Sequence, residues 1–250
     1  MSGVRGAKRA AQLPLRFPFT WGGARRGAGR KPGPRRNTPH HARPIHRAAE
    51  PVHVTLRARI SPLRSQFVFP TVRLAISRAA RRDPERFRVI HFSVQRDHVH
   101  LVVEATDARA LSSGVRSIAI RIARYVNDLL SRRGRFWADR WHGRALRTPR
   151  EVRNAIVYVL ANFRKHARQV IPSGMDPFSS AAWFDGWREW RSESGVPPPF
   201  AESAPWCRTR EVAAEEVNSN TAESSTARTW LARHGWRKYG LLGLAEAPVT

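Results

Sequence analysis

Apolar and polar residues alternate along three stretches of the chain, and this alternation predicts three half-buried strands. The stretches are 52–59, 87–95 and 98–105, each with one apolar and one polar side. Only Arg96 and Asp97 separate the second stretch from the third. A two-residue connection of this kind predicts a β-hairpin.

Helical spacing of apolar residues connects these strands. It predicts helices over 71–82, over 108–133 with a stop at Gly134, and over 149–166. The last helix begins with a capping box and a proline in its first turn, formed by Thr148, Pro149 and Glu151. Residues 135–146 are predicted to form a strand and a turn. The order of these elements predicts an α+β fold, a ferredoxin-like antiparallel sheet with helices packed on it.

The flanks differ in composition from this central region. We expect five segments: a basic flexible arm (1–50), a central domain (51–168), an aromatic-rich extension (169–191), an acidic linker (192–227) and a short tail helix (228–250). Glycine and proline in the arm disfavour regular structure, and the linker combines six acidic residues with a proline triplet.

The charge of the chain indicates a nucleic-acid partner. Lysine and arginine number 45 against 19 acidic residues, for a net charge of +26, which attracts polyanions whatever their sequence. The arm contributes candidate nucleic-acid contacts at Arg25, Arg26, Arg30, Lys31, Arg35 and Arg36. No stretch approaches the ~18 apolar residues that span a bilayer. The single cysteine, Cys207, excludes an internal disulfide and favours a cytoplasmic location.

Two histidines of the predicted hairpin share its polar face. His98 and His100 are two residues apart on one strand, so their side chains point the same way with Cα atoms roughly 7 Å apart. Two imidazoles at that separation can converge on one divalent ion. A hydrogen-bonded histidine pair at a sheet edge is the alternative that this motif alone leaves open.

The last predicted helix carries a candidate nucleophile. Tyr158 lies on the side opposite the apolar stripe, and Asn162 follows one turn later on that side. The other two tyrosines suit catalysis less, because Tyr125 lies near an apolar stripe and Tyr239 follows the acidic linker. A tyrosine hydroxyl near a metal-binding histidine pair predicts attack on a DNA phosphate.

Two sequence motifs resemble a known family. The motifs are HFSVQRDHVHLVVE at 91–104 and TPREVRNAIVYVLANFRKHA at 148–167. Together they resemble the single-tyrosine HUH transposases of the IS200 type, and most closely the REP-associated tyrosine transposases. The resemblance covers about 51–168 and implies the HUH endonuclease fold.

The resemblance also implies an activity. The chain would be a single-stranded DNA endonuclease that cuts near hairpins, forms a 5′-phosphotyrosine intermediate at Tyr158 and rejoins strands. Mg²⁺ or Mn²⁺ would be the cofactor, held by His98 and His100 with Asn162 as third ligand. Some family members have glutamine where this chain has Asn162, which is shorter but also offers a carbonyl oxygen. The oligomeric state, monomer or homodimer, stays open.

Two other functions compete with this interpretation. A histidine-triad nucleotide hydrolase would need a third histidine at position 102, where this chain has Val102. A domesticated nucleic-acid-binding protein could keep the same fold without cleaving DNA. The presence of all the expected site residues favours the enzyme.

The arm's charge generates the first prediction. It carries 12 lysine and arginine residues against one glutamate, so its binding to nucleic acid should release counterions and weaken steeply with salt. Deleting residues 1–50 should therefore flatten the slope of log affinity against log salt concentration, measured by fluorescence anisotropy with single-stranded DNA. An unchanged slope would exclude the arm from binding.

Overall fold

The computed structural model describes residues 45–166, 174–189 and 225–248, all within one compact unit that spans residues 44–250. Residues 1–44 of the predicted arm and most of the predicted linker lie outside the described residues. The strands are β1 (Val52–Arg57), β2 (Phe87–Val94), β3 (His98–Ala105) and β4 (His142–Ala145). The helices are α1 (Phe69–Ala80), α2 (Ala108–Leu129), α3 (Pro149–Ala161), α4 (Phe163–His166) and α5 (Trp230–Arg233). Short 3₁₀ turns cover Ala181–Trp183 and Gly235–Tyr239.

The four strands form one antiparallel sheet in the order β2-β3-β1-β4. The predicted hairpin is present, and its turn closes where the backbone N–H of Gln95 donates to the carbonyl of His98 over 2.7 Å. The first strand of the chain lies between β3 and β4. The α+β class and the antiparallel sheet predicted from the pattern are therefore confirmed.

A β-bulge in β2 changes one face assignment made from the alternation. Strict alternation places Ile90 on the same face as Phe92, but the register shifts between Val89 and His91. Val89 consequently opposes Val103, and Ile90 packs in the hydrophobic cluster on the other face. Ile90 therefore departs from the alternation that predicted this strand, because an extra residue in one strand reverses the alternation beyond it.

Helices α1 and α2 cover one face of the sheet. Apolar residues at helical spacing on α2, such as Val115, Ile118 and Ile122, are fully buried against apolar side chains of the strands. The side chain of Asp107 caps α2 by accepting a hydrogen bond from the backbone N–H of Ala110 over 2.8 Å. Among the described helices, none is long and apolar enough to cross a membrane.

Helix α3 and the C-terminal residues cover the opposite face. The predicted capping box is present, since Thr148 and Glu151 bond each other's backbone N–H groups. Helix α3 packs between the sheet and the turn Gly235–Tyr239, so apolar residues are buried on more than one of its sides. A second hydrophobic cluster thus covers part of the face that carries His98 and His100.

Predicted helix ends differ from the structure, including those of α1, which was predicted over 71–82 and spans Phe69–Ala80. Helix α2 ends at Leu129 rather than 133, and α3 ends at Ala161 before the separate turn Phe163–His166. In the tail, the apolar pattern forms the four-residue helix α5 and the following 3₁₀ turn. The apolar spacing of a helix often continues into the turn that follows it, so this spacing cannot show at which residue the helix ends.

A buried glutamate attaches the C-terminal residues to the sheet. Glu104 on β3 is 1% exposed and forms a salt bridge with Arg88 on β2 at 3.3 Å. Its carboxylate also accepts hydrogen bonds from the backbone N–H groups of Arg228 and Thr229 and from the Thr229 hydroxyl, at 2.8–3.2 Å. Because Thr229 is the N-cap of α5, this one carboxylate positions the whole segment that follows the linker.

A second ion pair attaches the residues that follow α3. The Arg64 guanidinium bonds the buried Asp176 carboxylate at 2.8 Å and also donates to the carbonyl of Val94 at the end of β2. The backbone N–H of Phe92 donates to the hydroxyl of Ser180 at 3.0 Å. These contacts bind residues 174–189 to the edge of the sheet formed by β2.

Replacing Glu104 tests the attachment of the C-terminal segment. Glu104→Gln removes the charge and places an amide N–H₂ among N–H donors, so it should lower the free energy of unfolding by about 2–4 kcal/mol. Urea unfolding followed by circular dichroism measures the loss. The control is Glu85→Gln, which breaks an exposed pair with Arg228 and should change stability far less. Equal effects of the two variants would contradict the structural role of Glu104.

Candidate active site

The pairing of β1 with β3 places polar side chains together on the face covered by α3. In this register Arg57 opposes His98, Thr55 opposes His100 and His53 opposes Val102. Directly opposed residues of an antiparallel pair point to the same side. Histidines from two strands therefore share one surface, although they are almost 50 residues apart in the chain.

The two histidines of the motif lie side by side. The ring planes of His98 and His100 are within 8° of parallel, with centroids 6.0 Å apart. Nδ1 of His98 lies 2.6 Å from the carboxylate of Asp97, and Nδ1 of His100 lies 3.2 Å from the hydroxyl of Thr55. Where both Nδ1 atoms donate to these oxygens, Nε2 of each ring is the coordinating atom, the arrangement usual for metal-binding imidazoles.

Tyr158 lies against the histidines. Its ring centroid is 5.2 Å from that of His100, in an edge-to-face contact at 89°. The sequence predicted an exposed tyrosine turned away from the core, and this orientation was wrong. The C-terminal residues cover much of α3, and Tyr158 is half-buried with its ring against the imidazoles of the sheet.

Asn162 follows Tyr158 by one helical turn, at the C-cap of α3. It is 2% exposed, and its Oδ1 is buried with no hydrogen-bond partner. A buried carbonyl oxygen without a partner costs free energy, which is expected where a ligand supplies the missing contact. The sequence predicted Asn162 on the side of the helix turned away from the core, whereas the structure buries its side chain.

Histidine 53 completes the cluster and was not among the residues predicted for the site. Its ring centroid is 5.5 Å from the centroids of both His100 and Tyr158. Burial, and then the positive charge of Arg144 and His142, lower the pKa of His53 to about 4, so its imidazole is neutral at pH 7. The alternation of β1 already placed His53 on the polar side of its strand, but only the strand register brings it to Tyr158.

The side chains of this face suit a divalent ion with mixed ligands. Among the described residues, no group of three histidine, cysteine, aspartate or glutamate side chains is placed to hold a metal. The side chains that could hold a divalent ion are the imidazoles of His98 and His100 and the buried amide oxygen of Asn162. Nitrogen and neutral oxygen ligands of this kind bind Mn²⁺ and Mg²⁺ less tightly than carboxylates do, and leave coordination positions for phosphate oxygens.

The other two tyrosines lie elsewhere. The Tyr125 hydroxyl accepts hydrogen bonds from Arg78 and Arg121 at 3.4 and 3.2 Å, in the helical layer on the opposite face of the sheet. These guanidinium groups, chiefly Arg78, lower the pKa of Tyr125. Tyr239 is 53% exposed in the C-terminal 3₁₀ turn. Among the described tyrosines, only Tyr158 contacts the histidine cluster.

Basic residues surround the site on the side of β4. Arg57 and Arg144 lie on the histidine face, with side chains 60% and 66% exposed. Arg147, also 66% exposed, follows β4. The six basic residues predicted to contact nucleic acid in the arm lie outside the described residues.

Comparison with known proteins finds similarity in the central region of the chain. No curated protein matches the chain. A solved structure described as the REP-associated tyrosine transposase bound to a REP hairpin aligns with 57% of this chain and 82% of its own, at 21% identity and a TM-score of 0.44. Residues 57–152 match the family model of IS200-like transposases, and this segment contains both motif histidines and the start of α3. The central region of the chain is therefore similar to IS200-like transposases.

Proposed function

We propose that this protein is a metal-dependent single-stranded DNA endonuclease and transposase. It cleaves DNA near hairpins through a covalent 5′-phosphotyrosine intermediate at Tyr158, and then rejoins strands. The observation that carries the proposal is the contact of the Tyr158 ring with His100, at a centroid distance of 5.2 Å, beside the parallel ring of His98. A structural tyrosine in the core would not need an imidazole of this histidine motif as its neighbour.

His98, His100 and Asn162 are the residues that would hold Mg²⁺ or Mn²⁺. When bound, the divalent ion supplies Lewis-acid polarisation of the scissile phosphate. The carboxylate of Asp97 orients His98 and the hydroxyl of Thr55 orients His100. The buried Oδ1 of Asn162, which lacks a partner, is the third donor.

The cleavage step is an exchange of one phosphate ester for another. The Tyr158 oxygen bonds to phosphorus as its proton leaves to solvent, and the bond from phosphorus to the 3′ oxygen breaks. The released strand ends in a 3′-hydroxyl once that oxygen takes up a proton, and the 5′ phosphate stays on Tyr158. Attack of a 3′-hydroxyl on this phosphotyrosine reverses the exchange and joins two strands.

His53 acts in this proposal as a positioning residue. Its neutral imidazole packs against both Tyr158 and His100, so it holds the nucleophile at a set distance from the metal ligands. A neutral ring also adds no charge that would repel a cation at the site. In-line attack depends on such positioning.

The proposed DNA partner is supported by charge and by family resemblance. Exposed arginines flank the histidine face, and the net charge of the chain is +26. Phosphate contacts by arginine supply most of the affinity in such interfaces, without reading sequence. Hairpin-forming repeats are the substrate that the IS200-type resemblance implies.

The first test of the proposal removes the nucleophile. Tyr158→Phe keeps the ring that packs on His53 and His100 and removes only the hydroxyl, so the variant should fold and bind hairpin DNA. It should form no covalent adduct. The measurement is retention of labelled single-stranded DNA on the denatured protein after incubation with Mn²⁺.

Tyr125→Phe is the matched control and should retain the adduct, because Tyr125 lies on the other face of the sheet. An adduct that persists in Tyr158→Phe would assign the chemistry to another residue. Hairpin binding by the wild type without any adduct would favour the domesticated, non-catalytic protein of the same fold.

The second test removes a metal ligand. His100→Ala should abolish Mn²⁺-dependent cleavage, by at least about a hundredfold since a ligand and its metal's charge are both lost. It should leave hairpin affinity within about twofold, because phosphate contacts supply that affinity. Electron paramagnetic resonance of Mn²⁺ measures metal binding directly, as loss of the signal of the free ion.

His142→Ala is the control for this test, since His142 is exposed on the neighbouring strand β4 and opposes Thr55. It should bind Mn²⁺ and cleave like the wild type. A His100→Ala protein that still binds Mn²⁺ would exclude His100 from the metal site and restore the interpretation of a structural histidine pair.

A further inference from the structure

A pocket of about 390 Å³ lies beside the candidate nucleophile. Tyr158 and His53 form part of its wall, and the rest comes from the end of β4, the first turns of α3 and residues 246–248. Its volume falls in the range of pockets that hold small organic ligands, about 300–1,000 Å³. The pocket shares Tyr158 with the metal-binding face but includes neither His98 nor His100.

The charges of the pocket are balanced. Arg144 pairs with Glu151 at 2.8 Å. Arg153 forms a two-pronged ion pair with Glu246, at 2.6 and 2.9 Å. Each guanidinium in the lining therefore has its own carboxylate, and the pocket suits an uncharged group better than a phosphate.

The remaining lining has the composition of a site for a nucleobase. The rings of His53 and Tyr158 offer flat surfaces of the kind on which bases stack. Leu146 and Pro248 supply buried apolar surface. Asn154 is exposed on α3, and its amide carries both a donor and an acceptor, which can pair with the edge of a base.

We propose that this pocket receives the base of a nucleotide that adjoins the phosphate attacked by Tyr158, and that Asn154 reads the edge of that base. This inference rests on the proposed function, because the location of the pocket matters only if Tyr158 is the nucleophile. A strand whose phosphate reaches the Tyr158 hydroxyl must place a neighbouring nucleoside beside the Tyr158 ring. The pocket then gives the cleavage step a sequence preference that is independent of hairpin recognition.

The test removes the base from the substrate and the amide from Asn154, separately and together, and compares the losses in rate. Hairpin substrates carry each of the four bases, or an abasic sugar, at the nucleotide on either side of the cleaved phosphate. Adduct formation with Mn²⁺ is measured as kcat/KM for the wild type and for Asn154→Ala. Ser113→Ala, an exposed polar residue on α2, is the control and should behave as the wild type on every substrate.

At one of the two positions the abasic substrate should react about tenfold more slowly than the best base, within the value of one base-edge contact. Asn154→Ala should lose about tenfold on the best base and less than about twofold on the abasic substrate. The four bases should then differ little for this variant.

Two results would overturn the pocket assignment while leaving cleavage at Tyr158 intact. One is that Asn154→Ala slows the abasic substrate as much as the best base at both positions, and the other is a wild type that reacts equally with every base and with the abasic sugar at both positions. A wild type that forms no adduct on any substrate would overturn the proposed function itself, and the pocket assignment with it. Thermal unfolding confirms that Asn154→Ala is folded, as expected for an exposed position.

Discussion

The register of β1 against β3 is the constraint on which the candidate site depends. Thr55 opposite His100 brings His53 next to the motif histidines and turns all of them toward α3. A shift of one residue would move every side chain of β1 to the other face of the sheet. Apolar side chains on the α1–α2 side, among them Val54 and Leu56, prevent that shift because it would bury Thr55 and His53 in the main core. Packing on one face of the sheet thereby sets the chemistry on the other.

Burial of polar side chains on the histidine face costs free energy, because some of their atoms lose water without gaining a hydrogen bond. Nε2 of His53, Nδ1 of His91 and Oδ1 of Asn162 are buried without hydrogen-bond partners. Burial lowers the pKa of His53 and of His91 to about 4, so these imidazoles remain neutral and avoid the larger penalty of a buried charge. His91 packs edge-to-face on Phe184, a contact that accounts for its burial. His53 and Asn162 instead flank Tyr158, where unsatisfied groups are expected to serve a site.

Much of this fold could be predicted from the sequence, since its signals are local. The hairpin followed from two alternating runs around Arg96 and Asp97, and α3 followed from its capping box. The alternation of β3 also placed His98 and His100 on one face of the sheet, but the period of α3 turned Tyr158 away from the core, which was wrong. The bulge at Ile90 could not be predicted, because no glycine or proline marks it. The role of His53 was missed for a different reason, since it depends on pairing between strands distant in the chain.

The most consequential non-local feature is the return of the chain after the linker. Glu104 binds the N-cap of α5, and Arg153 on α3 binds Glu246 near the C-terminus. Glu104 lies on β3 and Arg153 lies on α3, and these two elements also carry the residues of the candidate site. The C-terminal segment packs in one hydrophobic cluster with Val157, and it forms one wall of the pocket beside Tyr158. Periodicity alone predicts residues 228–250 as a separate tail, because the ion pair and hydrogen bonds that attach them join residues about 90 to 125 positions apart. The environment of the tyrosine is therefore completed by residues beyond 57–152, the segment that is similar to IS200-like transposases.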